Sequence, residues 1–213
     1  KQVSESIELG VILALVGGFM DVYSYVGRGG VSANAQTGNI LLVGVHISEG
    51  NIPLAMHFLL PVLCFSVGIM MSDLVHERFV SVLHWRQLTV LVEALILLGV
   101  GLLPPEHNML ANGLTSLACG MQVESFRKIR GRGIATTMCI GNLRSGTESL
   151  SIYLRDRNIG ALKKTAHYYG IILIFAIGAG IGGVCSLHIG IRAIWASSVL
   201  LAIVCTMMVR EHR

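Results

Sequence analysis

The feature that most limits how this chain can fold is a long stretch without formal charge near its C-terminus. Thr165 to Ile191 contains no acidic or basic residue apart from histidine. A second run, Leu54 to Ser72, is also free of charged residues. A transmembrane helix needs about 20 consecutive apolar residues. Both runs therefore predict membrane-spanning helices.

Composition supports a bilayer rather than water as the solvent of the fold. Only 13% of the residues are charged and 53% are hydrophobic, with a mean hydropathy of +0.69, whereas soluble domains average roughly 25% charged residues. The net charge of +4 comes with no aromatic and basic nucleic-acid motif. The five cysteines are scattered singly, without metal-ligand or disulfide spacing. We therefore predict a membrane protein with no nucleic-acid partner, metal or cofactor.

The chain carries a diverged internal repeat. The pattern GGVSANAQTGNILLVGVHI, Gly29 to Ile47, returns as GRGIATTMCIGNLRSG, Gly131 to Gly146. Several further pairs fall into the same order when Gly38-Asn39 is aligned with Gly141-Asn142: Gly18 with Gly120, Arg28-Gly29 with Arg130-Gly131, Asn51-Ile52 with Asn158-Ile159, and Phe65-x-x-Gly68 with Phe175-x-x-Gly178. Repeats of this kind set the whole architecture. We interpret residues 7–104 and 109–209 as two copies of one plan within a single transmembrane domain.

Six membrane spans are predicted, three in each half. They are Ile7 to Val26, Leu54 to Ser72, Leu88 to Leu103, Met109 to Val123, Thr165 to Ile191 and Ala193 to Val209. The apolar part of the first motif, Ile40 to Ile47, is too short to cross a hydrocarbon core. A half-helix and a surface helix are the alternatives there. The first span follows Glu5 and Glu8 instead of basic residues, so we expect a retained helix and not a cleaved signal peptide.

Basic residues predict the topology of these spans. All of the 16 lysines and arginines except Arg28 and Arg192 fall on one side of the six-span arrangement. The positive-inside rule then places both termini in the cytoplasm. Three spans per half force the halves into opposite orientations. Such inverted repeats are typical of secondary transporters, whose site lies near the midplane where broken helices meet.

The motif residues also carry a resemblance to a known family. They are Gly17-Gly18-Phe19-Met20-Asp21, Ser32-x-Asn34, Thr37-Gly38-Asn39, Gly120-Met121-Gln122, and Thr136-Thr137 before Gly141-Asn142. Over almost the whole chain this pattern is similar to the YoaK-like family of bacterial membrane proteins. The resemblance implies a six-span protein of the bacterial inner membrane with a transport-related function, and it brings no substrate. The chain departs from the family pattern at Ala35-Gln36 and at Ile140.

The two motifs predict helix starts. Ser32, Thr37 and Asn39 are N-cap residue types, and Gly38 permits a turn or a close backbone approach. A helix start exposes N–H groups and a positive dipole end that favour an anion. We expect a Cβ at Gly38 or Gly141 to strain the turn. The alternative is that both motifs are ordinary caps at the membrane surface.

Two acidic residues lie within apolar spans. A carboxylate at the position of Glu93 costs several kcal/mol unless it is paired or protonated, so it suits proton coupling. An interfacial, hydrogen-bonded glutamate is the alternative. Asp21 fits a cation or proton site and a solvated or capping role equally well.

Function is predicted by weighing these features together. Nucleophile elbows, zinc motifs and P-loops are absent from the sequence, so an enzyme is not expected. We expect a transporter of a small solute, with an anionic group favoured and protons as the coupling ion. A membrane scaffold or regulatory protein is the alternative, and a homo-oligomer stays open. The expected substrate-binding residues are Asp21, Ser32, Asn34, Thr37, Gly38, Asn39, Gln122, Thr137, Gly141 and Asn142, with Glu93 for proton coupling.

Overall fold

The described part of the chain is helical throughout. A computed structural model describes residues 7–79, 85–126, 136–137 and 139–210. Within these ranges the regular structure consists of α-helices and two short 3-10 helices, Pro105–His107 and Gly190–Ile194. The α-helices are α1 (Ile7–Gly27), α2 (Gln36–Ser48), α3 (Ile52–Phe79), α4 (Trp85–Val100), α5 (Asn108–Ser125), α6 (Cys139–Asp156), α7 (Ile159–Ile189) and α8 (Trp195–Arg210). Much of the second motif, including Arg130-Gly131, lies outside the described residues.

Two aligned asparagines start the two longest helices. Asn158 is the N-cap of α7, and its Oδ1 accepts hydrogen bonds from the N–H groups of Gly160 and Ala161. Asn51 stands just before α3 and accepts from the N–H of Leu54 at 3.2 Å. Such side chains satisfy N–H groups that have no partner within the helix. The repeat therefore reproduces the same capping device in both halves.

Helices of one half pack on helices of the other. The helix α1 lies along α7, and α5 lies along α3. The short helices stay within their halves, with α2 against α3 and α6 against α7. The last helices of the halves, α4 and α8, pair with each other, and the indole N–H of Trp195 donates to the carbonyl of Leu98 at 3.1 Å.

Glycines permit the closest of these crossings. A Cβ on Gly18 would meet the carbonyl of Phe175, and a Cβ on Gly120 would meet the carbonyl of Phe65. Likewise, a Cβ on Gly178 would meet the carbonyl of Leu15, and one on Gly68 the carbonyl of Leu117. Small residues let helix backbones approach closely, which is how membrane helices gain packing energy.

Three helical segments are long and apolar enough to cross a membrane. They are Ile7–Gly27, Ile52–Arg78 and Ile159–Met208, the last of which contains both α7 and α8. The expected third and fourth spans correspond to α4 and α5, which have 16 and 18 residues. At 1.5 Å per residue these helices are about 24 and 27 Å long, slightly short of a hydrocarbon core of about 30 Å. The described residues thus form an all-helical membrane protein with three candidate spans and further, shorter helices.

A buried arginine joins the two halves at the C-terminal end of α1. Arg28 is fully buried and donates to the hydroxyl of Tyr23, the carbonyls of Val100 and Leu103, and Oδ1 of Asn108, at 2.8 to 3.0 Å. Its own carbonyl accepts from the Asn112 amide. These partners lie on α1, at the end of α4, in the turn after it and at the start of α5. The arginine thus serves as a structural cross-link.

Candidate functional site

Both motifs begin helices, as predicted, but not through the expected caps. The helix α2 begins at Gln36 and α6 at Cys139, in each case three residues or fewer before the Gly-Asn pair. Ala35 occupies the N-cap position of α2 and makes no side-chain capping bond. The prediction that Ser32, Thr37 or Asn39 caps this helix is therefore wrong.

The expected strain at the two motif glycines is also wrong. Gly38 and Gly141 lie inside the first turns of α2 and α6, neither has a positive φ, and a Cβ on either would meet no atom within 4 Å. Both are exposed, as are Thr37 and Ile140. These positions face away from the packed interior of the described structure.

Asn39 folds the first motif onto itself. Its Oδ1 accepts from the N–H of Ser32 at 3.1 Å, and its Nδ2 donates to the Ser32 carbonyl at 2.7 Å and to Oε1 of Gln36 at 2.8 Å. The side chain has 1% of its surface exposed, and its hydrogen bonds stabilise the loop before α2. Asn142, aligned with Asn39, is also buried in the first turn of its helix.

The start of α2 already faces a carboxylate. Oδ1 of Asp21 accepts from the N–H of Asn34 at 2.9 Å and from the N–H of Ala35 at 3.4 Å. A negative group at this end is stabilised by the helix dipole. An anionic ligand would have to displace or neutralise Asp21 to reach the same N–H groups. The geometry therefore argues against the anion site expected at this helix start.

The two halves of the chain meet at the middle of α1. Asn34, from the first motif, donates from Nδ2 to the carbonyl of Gly17 at 2.9 Å. Thr137, from the second motif, packs against the same glycine. A Cβ placed on Gly17 would lie 2.7 Å from Cγ2 of Thr137. When Gly38 is aligned with Gly141, Asn34 and Thr137 occupy matching positions in the two copies of the repeat. Corresponding residues of the repeat thus contact one glycine.

Further polar groups border Gly17 on the side of α5. Gln122 is fully buried and donates to the carbonyl of Leu13, one helical turn before Gly17, at 3.0 Å. Cys119, one turn before Gln122, is also fully buried. Leu13, Gly17 and Asp21 are spaced four residues apart and share one face of α1. We define the residues along this face as the α1 stripe.

Glu93 lies on α4, which packs against α5, the helix of Gln122 and Cys119. It is fully buried, and neither of its carboxyl oxygens has a hydrogen-bond partner. Its neighbours on α4, Val90 and Ala94, lie in the same core cluster as Cys119 of α5. The antiparallel pairing of α4 with α8 brings Ser197 and Ser198 alongside the same turn, and their hydroxyls are buried and unpartnered as well.

The structure therefore gathers part of the predicted site and adds to it. Asn34, Gln122 and Thr137 contact α1 at the α1 stripe, which includes Asp21. Glu93 is buried on α4 beside α5, whereas Thr37, Gly38 and Gly141 are exposed. Sequence reasoning missed Cys119, although it stands at the repeat position of Gly17 and shares a helix face with Gln122. Among the described residues there is no group of three or more His, Cys, Asp or Glu side chains that could hold a metal ion.

Comparison with known proteins agrees with this description of a membrane protein. The chain is 26% identical over 178 residues to the UPF0700 transmembrane protein YoaK of Bacillus subtilis (strain 168), covering 79% of this chain and 78% of that protein. No solved structure matches the chain. A family model matches residues 9–207, nearly the full length. The chain therefore belongs to the DUF1275 family, whose description is "protein of unknown function".

Proposed function

We propose that this protein is a proton-coupled transporter of a small polar solute, with its site at the α1 stripe. It is not an enzyme in this proposal. The protein crosses the bacterial inner membrane six times with both termini in the cytoplasm. Its two halves are inverted repeats that carry the solute between them.

Exchanged contacts support the inverted repeat. Gly18 abuts Phe175, and the aligned Gly120 abuts Phe65. Each contact between the halves therefore occurs twice, with the roles of the two halves exchanged. A two-fold axis between the halves produces this pattern. Together with the odd number of spans per half, this relation supports an axis in the membrane plane, as in many secondary transporters.

The observation that carries the proposed site is a set of buried polar atoms without partners on the two motif segments, α5 and α4. Oδ1 of Asn34, Oε1 of Gln122, Oγ1 of Thr137 and both oxygens of Glu93 belong to this set. An unsatisfied buried polar group costs roughly 1 to 3 kcal/mol. A scaffold would gain nothing from keeping several such groups together in its interior, whereas a transporter uses them to bind its solute.

A thermal-stability screen tests this proposal. Detergent-purified protein is heated with small anions, amines, amino acids, nucleobases and sugars, and its melting temperature is recorded. We expect at least one solute to stabilise the wild type, since a ligand at 100 times its Kd adds about 2.7 kcal/mol. In Thr137→Val, which removes the hydroxyl at nearly constant volume, the same solute should bind about 2- to 12-fold more weakly.

Thr206→Val provides the matched control, because Thr206 is an exposed threonine on α8. Its solute affinity should equal that of the wild type. Equal weakening in both variants would contradict a site at Thr137. Failure of every solute class to stabilise the wild type would favour the alternative that the protein is a membrane scaffold or regulatory protein.

A further inference from the structure

The unpartnered atoms along the α1 stripe are mainly hydrogen-bond acceptors. Asn34 and Gln122 each donate one amide N–H to a carbonyl of α1, at Gly17 and Leu13, and their amide oxygens have no partner. The Glu93 carboxyl adds two more unpartnered oxygens. Ionised carboxyl and amide oxygens can only accept hydrogen bonds. A solute that offers hydrogen-bond donors is therefore the best match for these oxygens.

None of the buried residues that the structure describes offers a positive charge to these oxygens. Arg28 is the basic residue among them, and its guanidinium is held by Tyr23, Val100, Leu103 and Asn108. It lies 11 residues beyond Gly17, about 16 Å along a helix.

The remaining charged groups near Glu93 are also accounted for. On α4 itself, Arg86 lies two turns away and stacks against Trp85 and Phe126. The helices packed against α4 carry Cys119 on α5, and Ser197, Ser198 and the more distant Cys205 on α8. Asp21 lies on α1. Within the part of the chain that the structure describes, two acids and no adjacent base thus define the electrostatic character of the site.

We propose that the solute is a small organic cation with N–H donors, such as a protonated amine or guanidinium, and that it exchanges with a proton on Glu93. This inference rests on the proposed transport function and specifies its substrate class. A carboxylate is too costly to bury without a counter-charge, so Glu93 carries a proton when the site holds no cation. When the cation enters, the O–H bond of Glu93 breaks, the proton passes to water, and the carboxylate pairs with the ammonium or guanidinium group.

This exchange is sufficient to couple the flux of the cation to the flux of protons. The site holds either a proton or a cation, and a membrane transporter built around it runs as an antiporter. Asn34 and Gln122 then orient the N–H donors, while Asp21 remains hydrogen-bonded to the backbone before α2.

Proton release on binding tests the inference. Purified protein in a weakly buffered detergent solution with a pH-sensitive dye is titrated with methylammonium, butylammonium, guanidinium and tetraethylammonium, and with butyrate and butanol as anionic and neutral analogues of butylammonium. We expect at least one N–H cation to bind and to release about one proton per cation. Its affinity should fall about tenfold for each unit by which the pH is lowered while Glu93 is protonated.

Variants distinguish this site from surface binding. Glu93→Gln should release no proton, whereas Glu106→Gln, the same change at an exposed residue, should behave as the wild type. A melting curve of each variant establishes that it is folded, and Asp21→Asn provides a second acidic variant, expected to weaken cation binding.

The outcomes separate the inference from the proposed function. Binding of butyrate or butanol with no binding of any cation would overturn the cation assignment and leave transport of another solute standing. Cation binding without proton release, or with unchanged release in Glu93→Gln, would overturn the exchange at Glu93. A solute screen without a single hit would overturn the proposed function itself.

Discussion

Glu93→Gln is expected to abolish proton-coupled flux in reconstituted vesicles while leaving the protein folded. Glutamine keeps the shape of the protonated acid, so the buried environment of Glu93 should accept it. It cannot release a proton or pair with a cation as a carboxylate does. In vesicles loaded with a pH-sensitive dye, addition of a transported solute should move protons in the wild type and not in this variant.

Glu106→Gln serves as the control, because Glu106 is exposed in the 3-10 turn between α4 and α5. Its proton flux should match that of the wild type. Wild-type flux and pH dependence in Glu93→Gln would assign Glu93 a structural role and remove proton coupling from the account.

Gly178→Ala is expected to destabilise the protein strongly, whereas Gly180→Ala on the same helix should not. A Cβ at Gly178 would collide with the backbone of Leu15 on α1, and a backbone collision cannot be relieved by a change of rotamer. Overpacking of this kind typically costs about 1 to 3 kcal/mol. Gly180 has open space around it, so alanine there should gain roughly 0.5 to 1 kcal/mol of helix stability.

Melting temperatures in the same detergent compare the two variants directly. The two variants are predicted to shift the melting temperature in opposite directions, although both replace glycine by alanine. A melting temperature of Gly178→Ala equal to or above that of Gly180→Ala would show that α1 and α7 do not cross as closely as described.

Much of the architecture follows from the sequence because its causes are local. Charge-free runs predict the two longest helices, α3 and α7, and the aligned asparagines Asn51 and Asn158 cap them. The sequence also pairs Gly18 with Gly120 by position. It cannot show that each of these glycines contacts the opposite half, because an alignment reports equivalence and not contact. That the halves exchange α1 and α5 is visible only in the structure.

The site is only partly predictable for the same physical reason. Cap preferences suggest Thr37 and Gly38, but the acceptor at the start of α2 is Asp21, which lies on another helix. Burial of Glu93 follows from its apolar neighbours in the sequence. Cys119 is a small apolar residue in the sequence, and its place in the core beside α4 depends on how α4 packs against α5.

The central claim is that the second motif reaches the middle of α1, and a disulfide tests it most directly. A Cβ on Gly17 would lie 3.5 Å from the Cβ of Thr137, within the range of about 3.5 to 4.5 Å that a disulfide requires. Cysteines are introduced at 17 and 137 after replacement of Cys64, Cys119, Cys139, Cys185 and Cys205. After mild oxidation in native membranes, mass spectrometry of the digested protein should find the 17–137 linked peptide. Two free thiols that never cross-link, in protein whose melting curve is intact, would contradict a shared site between the two halves.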